Sequence, residues 1–317
     1  MRLTSRTGIF FTAIILLLDL DIGHGAVTLD ALGLYLTKNG YGGAPLVHLG
    51  NFYHLPIQSN GKPGNLLVDT GGPMTLLYRS SLSRLNLAES KTTEHVNGAF
   101  GRGRDVYGLT MIKALTAGNC VLTNVPVAVA SDSSLSRSLS NGVLGLRELI
   151  KFGAVLDLQN HLLYLRPTRP GEGVGSNIKA ILSRQGYTAI PLVLKKNHLY
   201  AVGAVNGVPC HFIVDTGSYL TSLDVRFATR TKLNVGANRL IGEGLGGSSP
   251  EGMTRLSSLR IGDYEIKNGS ASVAPLNPVI FEAHSDTAGL LGAEYLAINR
   301  AIFDFVSGSM YLRPPAR

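Results

Sequence analysis

Leu66-Leu67-Val68-Asp69-Thr70-Gly71 returns later in the chain as Phe212-Ile213-Val214-Asp215-Thr216-Gly217, with the two aspartates 146 positions apart. The match extends upstream without a gap. Asn60-Gly61-Lys62-Pro63 begins nine residues before Asp69, and Asn206-Gly207-Val208-Pro209 begins nine before Asp215. Each copy reads as a tight turn, a short apolar strand, and an acid on the loop that ends the strand. A given tripeptide is expected by chance about 0.04 times in a chain of this length. Two copies in matching surroundings are therefore an internal duplication.

Other paired stretches follow at offsets of 146 or 147. Val143-Leu144-Gly145 matches Leu290-Leu291-Gly292, and Met74-Thr75-Leu76-Leu77 matches Leu220-Thr221-Ser222-Leu223. The halves also end alike, with Ala154-Val155-Leu156-Asp157 to Leu165-Arg166-Pro167 answered by Ala301-Ile302-Phe303-Asp304 to Leu312-Arg313-Pro314. This constellation resembles the aspartic peptidases, in the two-lobed, pepsin-like arrangement but with short, retropepsin-like lobes. The resemblance covers nearly the whole chain after residue 44. It implies an all-β fold of two homologous β-barrel lobes with the active-site cleft between them.

The chemistry implied is hydrolysis of a peptide bond by an activated water. Two carboxylates about 3 Å apart cannot both ionise, so they share one proton and supply a base and an acid together. By the resemblance, Asp69 and Asp215 are that catalytic dyad. Thr70 and Thr216 brace the loops across the lobe interface. Gly71 and Gly217 allow the tight turn that brings backbone N–H groups to the carboxylates. Ser218 is positioned to donate its hydroxyl to Asp215, whereas Gly72 has no side chain to offer Asp69. That asymmetry predicts Asp215 to be the more readily ionised member. Glycine-rich Gly98-Ala99-Phe100-Gly101-Arg102-Gly103 and Gly242-Glu243-Gly244-Leu245-Gly246-Gly247 read as flaps over the cleft, with Phe100, Gly101, Leu245 and Gly246 as candidate substrate contacts. The second stretch also fits GxGxxG, but Ser248-Ser249-Pro250-Glu251 after it is no helix start, which argues against a dinucleotide site.

The chain of 317 residues, 44% hydrophobic and 16% charged, suits two domains with real cores. Residues 1–25 read as a secretory signal: Arg2 and Arg6 precede an apolar run from Gly8 to Leu18, too short to span a bilayer, with a cut before Ala26. The expectation is an exported, periplasmic or secreted protein without a stable membrane span after cleavage, with an uncleaved anchor as the competing reading. The domain reading is 26–44 as a lead-in, 45–168 as the N-terminal lobe, 169–186 as a linker holding a short helix from Asn177 capped by Ser176, and 187–317 as the C-terminal lobe. The net charge of +8 is scattered, which gives no support for nucleic-acid binding. Cys120 and Cys210 fall one in each half, compatible with a bridge between lobes or with two separate thiols. Neither they nor the histidines have metal-site spacing, so no cofactor and no metal are expected. Asn268-Gly269-Ser270 is a glycosylation sequon, and Asp286-Thr287-Ala288-Gly289 reads as an ordinary turn. Both half-sites lie in one chain, so a monomer acting on a polypeptide substrate is expected. Two rivals share the fold: a binding or regulatory module without turnover, and a processing peptidase of narrow specificity.

Overall fold

Each lobe is built outward from one Asn-Gly turn. A computed structural model describes residues 29–97, 104–132, 140–168, 173–237, 240–244, 247–278 and 283–314. In it Asn60 and Gly61 have φ of 49° and 80°, and Asn206 and Gly207 have 48° and 82°. Two successive positive φ angles make the mirror-image turn whose twist matches the flanking strands, and Asn-Gly is the pair that adopts it most readily. Phe52–Ser59 therefore folds back on Lys62–Val68, from Ser59 opposite Lys62 to His54 opposite Leu67. His198–Val205 and Val208–Val214 repeat the hairpin, from Val205 opposite Val208 to Tyr200 opposite Ile213. Strand alternation sends Tyr53, Leu55 and Ile57 into the main core.

The second strand of each hairpin is then clamped between neighbours of opposite sense. Lys62–Val68 runs parallel to Gly142–Leu144, which pairs antiparallel with Leu76–Tyr78 on its other edge. Val208–Val214, Thr287–Leu291 and Ser222–Asp224 do the same in the second lobe. Each lobe is an eight-stranded sheet, completed by long hairpins such as Arg104–Ala117 with Cys120–Ala130 and Gly247–Ile261 with Tyr264–Ala274. Thr287-Ala288-Gly289 thus belongs to a strand rather than to the turn expected there.

A third sheet of six strands joins the lobes, through Val155–Asp157 lying antiparallel to Ile302–Asp304. Its Leu156, Leu163, Phe303 and Met310 face the main core. Its Val155, Tyr164, Ile302 and Tyr311 face the other way, under two helices, Ala31–Lys38 and Val174–Arg184. Leu32 and Leu36 of the first helix and Ile178 and Leu182 of the second are all but fully buried there, each burial contributing about 1.5–3 kcal/mol. Asp30 caps the first helix by accepting the Gly33 N–H at 2.8 Å. The second helix begins at Val174 after Gly173 in the left-handed region, not at Asn177 after Ser176. Its first turn is held by Val174 packing onto the sheet, so no side-chain cap is used. The stretches read from composition as lead-in and linker each carry one helix of this layer, on the face of the sheet turned away from the lobes. Among the described residues no helix is long and apolar enough to cross a membrane.

Candidate active site

Val68 and Val214 end strands enclosed on both sides, so the chain has to leave the sheet at Asp69 and Asp215. Backbone bonds from Asp69 N to the Leu144 carbonyl and from Asp215 N to the Leu291 carbonyl, both 3.0 Å, fix the exits. The two loops then meet through their threonines. Thr70 Oγ1 donates to the Val214 carbonyl at 2.8 Å and accepts from the Thr216 N–H at 3.1 Å. Thr216 Oγ1 donates to the Val68 carbonyl at 2.7 Å and accepts from the Thr70 N–H at 3.0 Å. Four hydrogen bonds between fully buried groups thus cross the lobe boundary.

This bracing brings the two acids together. Asp69 and Asp215 hydrogen-bond each other. Gly71 N and Gly72 N both donate to Asp69 Oδ1 at 2.8 Å, and Gly217 N donates to Asp215 Oδ1 at 2.8 Å. Burial raises the proton affinity of both carboxyl groups above the ordinary range. Asp215 is raised furthest, by burial and then by the charge of Asp69 and the hydrogen bond to it. That same hydrogen bond, with the two glycine N–H groups and the nearby His198, favours the ionised form of Asp69. One proton is therefore shared between the two acids, a property of the coupled pair.

Ser218 does not make the side-chain contact with Asp215 expected of it. Its hydroxyl donates to the Leu220 carbonyl at 2.8 Å, so Ser218 assists Asp215 through its backbone N–H alone, beside the Gly217 N–H. A turn immediately after Gly217 points that carbonyl back at the side chain, and a short neutral acceptor within the loop captures the hydroxyl.

With this geometry in hand, the sequence profile described as "Aspartyl protease" matches residues 55–147 and 201–295, more than half of the chain and one match per lobe. The chain belongs to the aspartyl protease family. Among solved structures, an aspartic proteinase from Irpex lacteus matches with a TM-score of 0.54 over 87% of this chain and 98% of that one, at 17% identity, a likeness of fold. No curated protein sequence matches.

Behind each loop of the protease stands a carboxylate that sequence reading passed over, Glu148 buried and Glu294 half-buried. Glu148 accepts the Thr75 N–H at 2.9 Å and Glu294 accepts the Thr221 N–H at 2.7 Å. Thr75 and Thr221 in turn accept from Gly145 N and Gly292 N, at 3.0 and 3.1 Å. Glu148 and Glu294 obey the same 146-residue offset as the aspartates, so pairing the halves residue by residue would have found them. Burial raises the proton affinity of Glu294.

The lobes also touch one another's loops from outside. Phe52 packs edge-on to Tyr219, ring centroids 5.2 Å apart, and Asn51 Nδ2 donates to the Tyr219 carbonyl at 2.9 Å. Pro73 occupies the equivalent position in the other half. An apolar hollow of about 320 Å³ lies there, lined by Pro73, Met74, Leu146, Ile150 and Leu194, with Arg147 and Asn197 at its edge.

Of the flap residues, Phe100, Gly101, Leu245 and Gly246 lie outside the described residues. The strands beside them pair as hairpins, Asn97 opposite Arg104 and Gly244 opposite Gly247. The GxGxxG stretch is thus strand on both sides, without the helix a dinucleotide site requires. Cys120 and Cys210 are both free and buried. Among the described residues one group has metal-donor composition, His211, His284 and Asp286. Its two imidazoles stack with centroids 4.0 Å apart and planes 16° from parallel. Their in-plane lone pairs run in parallel layers and do not converge on one ion.

Proposed function

We propose that this protease is an endopeptidase that cleaves extended polypeptide segments with a water held between Asp69 and Asp215. The observation that carries the reading is the hydrogen bond between the two carboxyl groups, one from each lobe, at loops tied together by Thr70 and Thr216. Ionised Asp69 takes a proton from the water as its oxygen attacks the scissile carbonyl carbon. Protonated Asp215 donates to the carbonyl oxygen as the tetrahedral diol forms. The proton then held by Asp69 passes to the leaving nitrogen, the C–N bond breaks, and one diol proton returns to Asp215. No covalent enzyme intermediate is involved. The substrate lies as a strand in the cleft, its backbone bonded by the flanking hairpins.

One chain supplies both half-sites, so the reading requires no second copy. The charged and then apolar pattern at Arg2 to Leu18 supports export as its setting. Digestion of a denatured protein across pH tests the reading. Wild type should release fragments, and Asp69→Asn and Asp215→Asn should each abolish release. Turnover that survives either substitution sinks it. Fragmentation of a single partner protein, with none of the denatured substrate, would point to the narrow processing role instead.

A further inference from the structure

Each active loop is fastened by the same four hydrogen bonds to the strand end and helix start behind it. In the second lobe Asp215 N donates to the Leu291 carbonyl at 3.0 Å and Ala293 N to the Ser218 carbonyl at 2.8 Å. Gly292 N donates to Thr221 Oγ1 at 3.1 Å, and Thr221 N to Glu294 Oε1 at 2.7 Å. The first lobe repeats the set, with Leu146 N on the Gly72 carbonyl at 2.8 Å and Thr75 N on Glu148 Oε2 at 2.9 Å. Of these acceptors only the glutamate titrates, and its surroundings are where the lobes part. Glu148 is the third residue of helix Leu146–Lys151, and Arg147 before it donates from Nε to Glu148 Oε1 at 2.7 Å. Both oxygens of Glu148 are therefore engaged, one of them by a cation. Glu294 is the second residue of helix Ala293–Ile298, so it stands in the arginine's own place, and Ala293 precedes it. Its Oε2 atom is buried without a hydrogen-bond partner among the described residues.

We propose that Glu294 is a positioning residue of the protease: as a neutral acid it anchors the Asp215 loop through Thr221, and on ionising it releases that loop. The proposal rests on the hydrolytic reading of Asp69 and Asp215. In the neutral form Oε2 carries the proton while Oε1, as a carbonyl oxygen, still accepts the Thr221 N–H. In the ionised form half of the charge sits on an oxygen sealed from water and from any counter-ion. Such a charge is relieved only by admitting water or by swinging the side chain outward. Either movement parts the helix start from the loop at the Thr221 bond. Glu148, held by Arg147, carries its charge without that conflict.

The ionisable groups around this junction supply no cation to Glu294. Asp224, on the strand after Thr221, is engaged with Arg226 at 2.6 and 3.1 Å. From strand Gly247–Ile261, Glu251 is buried against Ser272. Tyr295, next along the helix, is held neutral by burial. Asp215, at the other end of the loop, shares the proton of the dyad. Burial accordingly raises the proton affinity of Glu294, opposed by hydrogen bonds from Thr221 and from its own helix backbone. The anchor is therefore complete in acid and is lost as pH rises through a folded-state value above the ordinary glutamate value of 4.5.

The test follows the Thr221 amide by NMR across pH, beside kcat on a quenched peptide library, for wild type, Glu294→Gln and Glu294→Ala, with thermal melts of each. In wild type the amide should shift in a step whose midpoint lies above 4.5, and the Gln variant should lack that step. Gln keeps an acceptor for Thr221 and cannot ionise. The ratio of its kcat to that of wild type cancels the limb that the dyad itself imposes. That ratio should stay within about threefold of one in acid and climb to about tenfold above the Thr221 midpoint. Ala offers Thr221 no acceptor and should lose about tenfold at every pH, a loss that Gln recovers. A Thr221 amide without the step overturns the proposal, and so does a kcat ratio that is flat across pH. A change confined to melting temperature overturns it too, because the role is then structural. The wild-type titration needs neither turnover nor a variant, so it decides the anchor even where a variant fails to fold. Wild type without turnover at any pH would instead defeat the hydrolytic reading, with the Thr221 amide still deciding the anchor.

Discussion

Gly71 of the first loop lies against the carboxyl group of Asp215 in the second, so close that a Cβ built on it would collide with that group. Gly217 stands in the same relation to Asp69. Each glycine of an Asp-Thr-Gly loop is thus a steric requirement of the other loop's acid. Gly71→Ala should push the Asp215 carboxyl out of line and lower kcat by about a hundredfold or more. The fold is held elsewhere, so far-UV circular dichroism should be unchanged. Steady-state kinetics decide the matter, and an Ala variant with wild-type kcat would show that the acids need no such close approach.

Thr70 and Thr216 put the lobe boundary under hydrogen-bond control. Thr70→Val preserves shape but leaves the Val214 carbonyl and the Thr216 N–H without their partner. Unsatisfied buried groups cost about 1–3 kcal/mol each. Urea unfolding should therefore register a loss of about 2 kcal/mol or more, most of it restored in Thr70→Ser. The pair should also fail additivity. Thr70→Val with Thr216→Val should cost less than the separate losses combined, because each single variant already breaks bonds shared by both.

How far the sequence could be read depended on whether a contact is local or crosses between the halves. The hairpin, the strand into Asp69 and the apolar-glycine strand beside it are set by turn chemistry and alternation, and they repeat, so both lobes and both loops were legible. The 146-residue offset even reaches Leu32, Leu36 and Tyr41, answered by Ile178, Leu182 and Tyr187 in one helical layer. Breaker-rich composition marks turns but not which layer an element joins, so that layer stayed hidden behind the words lead-in and linker. Ser218 was readable as a donor, but its choice of the Leu220 carbonyl depends on a turn no propensity specifies.

Cys120 and Cys210 should be inert in the native protein. Burial pushes the Cys120 thiol up to about 11 and the Cys210 thiol up to about 12, the latter also raised by Asp286. Thiolate is the reactive form, so both slow access and a small ionised fraction protect them. Iodoacetamide at pH 8 should label neither in the folded state and both in denaturant, with activity unaffected by reductant. Rapid labelling of either native thiol would contradict the packing described.

The dyad should be a stability liability above acid pH. Asp215 has a folded-state proton affinity well above the ordinary aspartate value of 3.8. Between these values the native state binds more protons than the unfolded chain, so stability falls as pH rises through that window. The cost is absent below about pH 3.8, where both states hold the proton, and is complete above the folded-state value. Asp215→Asn removes the titration and keeps an N–H₂ to donate to Asp69. The variant should therefore melt several degrees higher than wild type at pH 7, with the gap closing on acidification and vanishing near pH 3. Equal melting temperatures at both pH values would mean that Asp215 ionises as freely in the fold as in the open chain. The asymmetry of the pair would then have to come from somewhere other than its burial against Asp69.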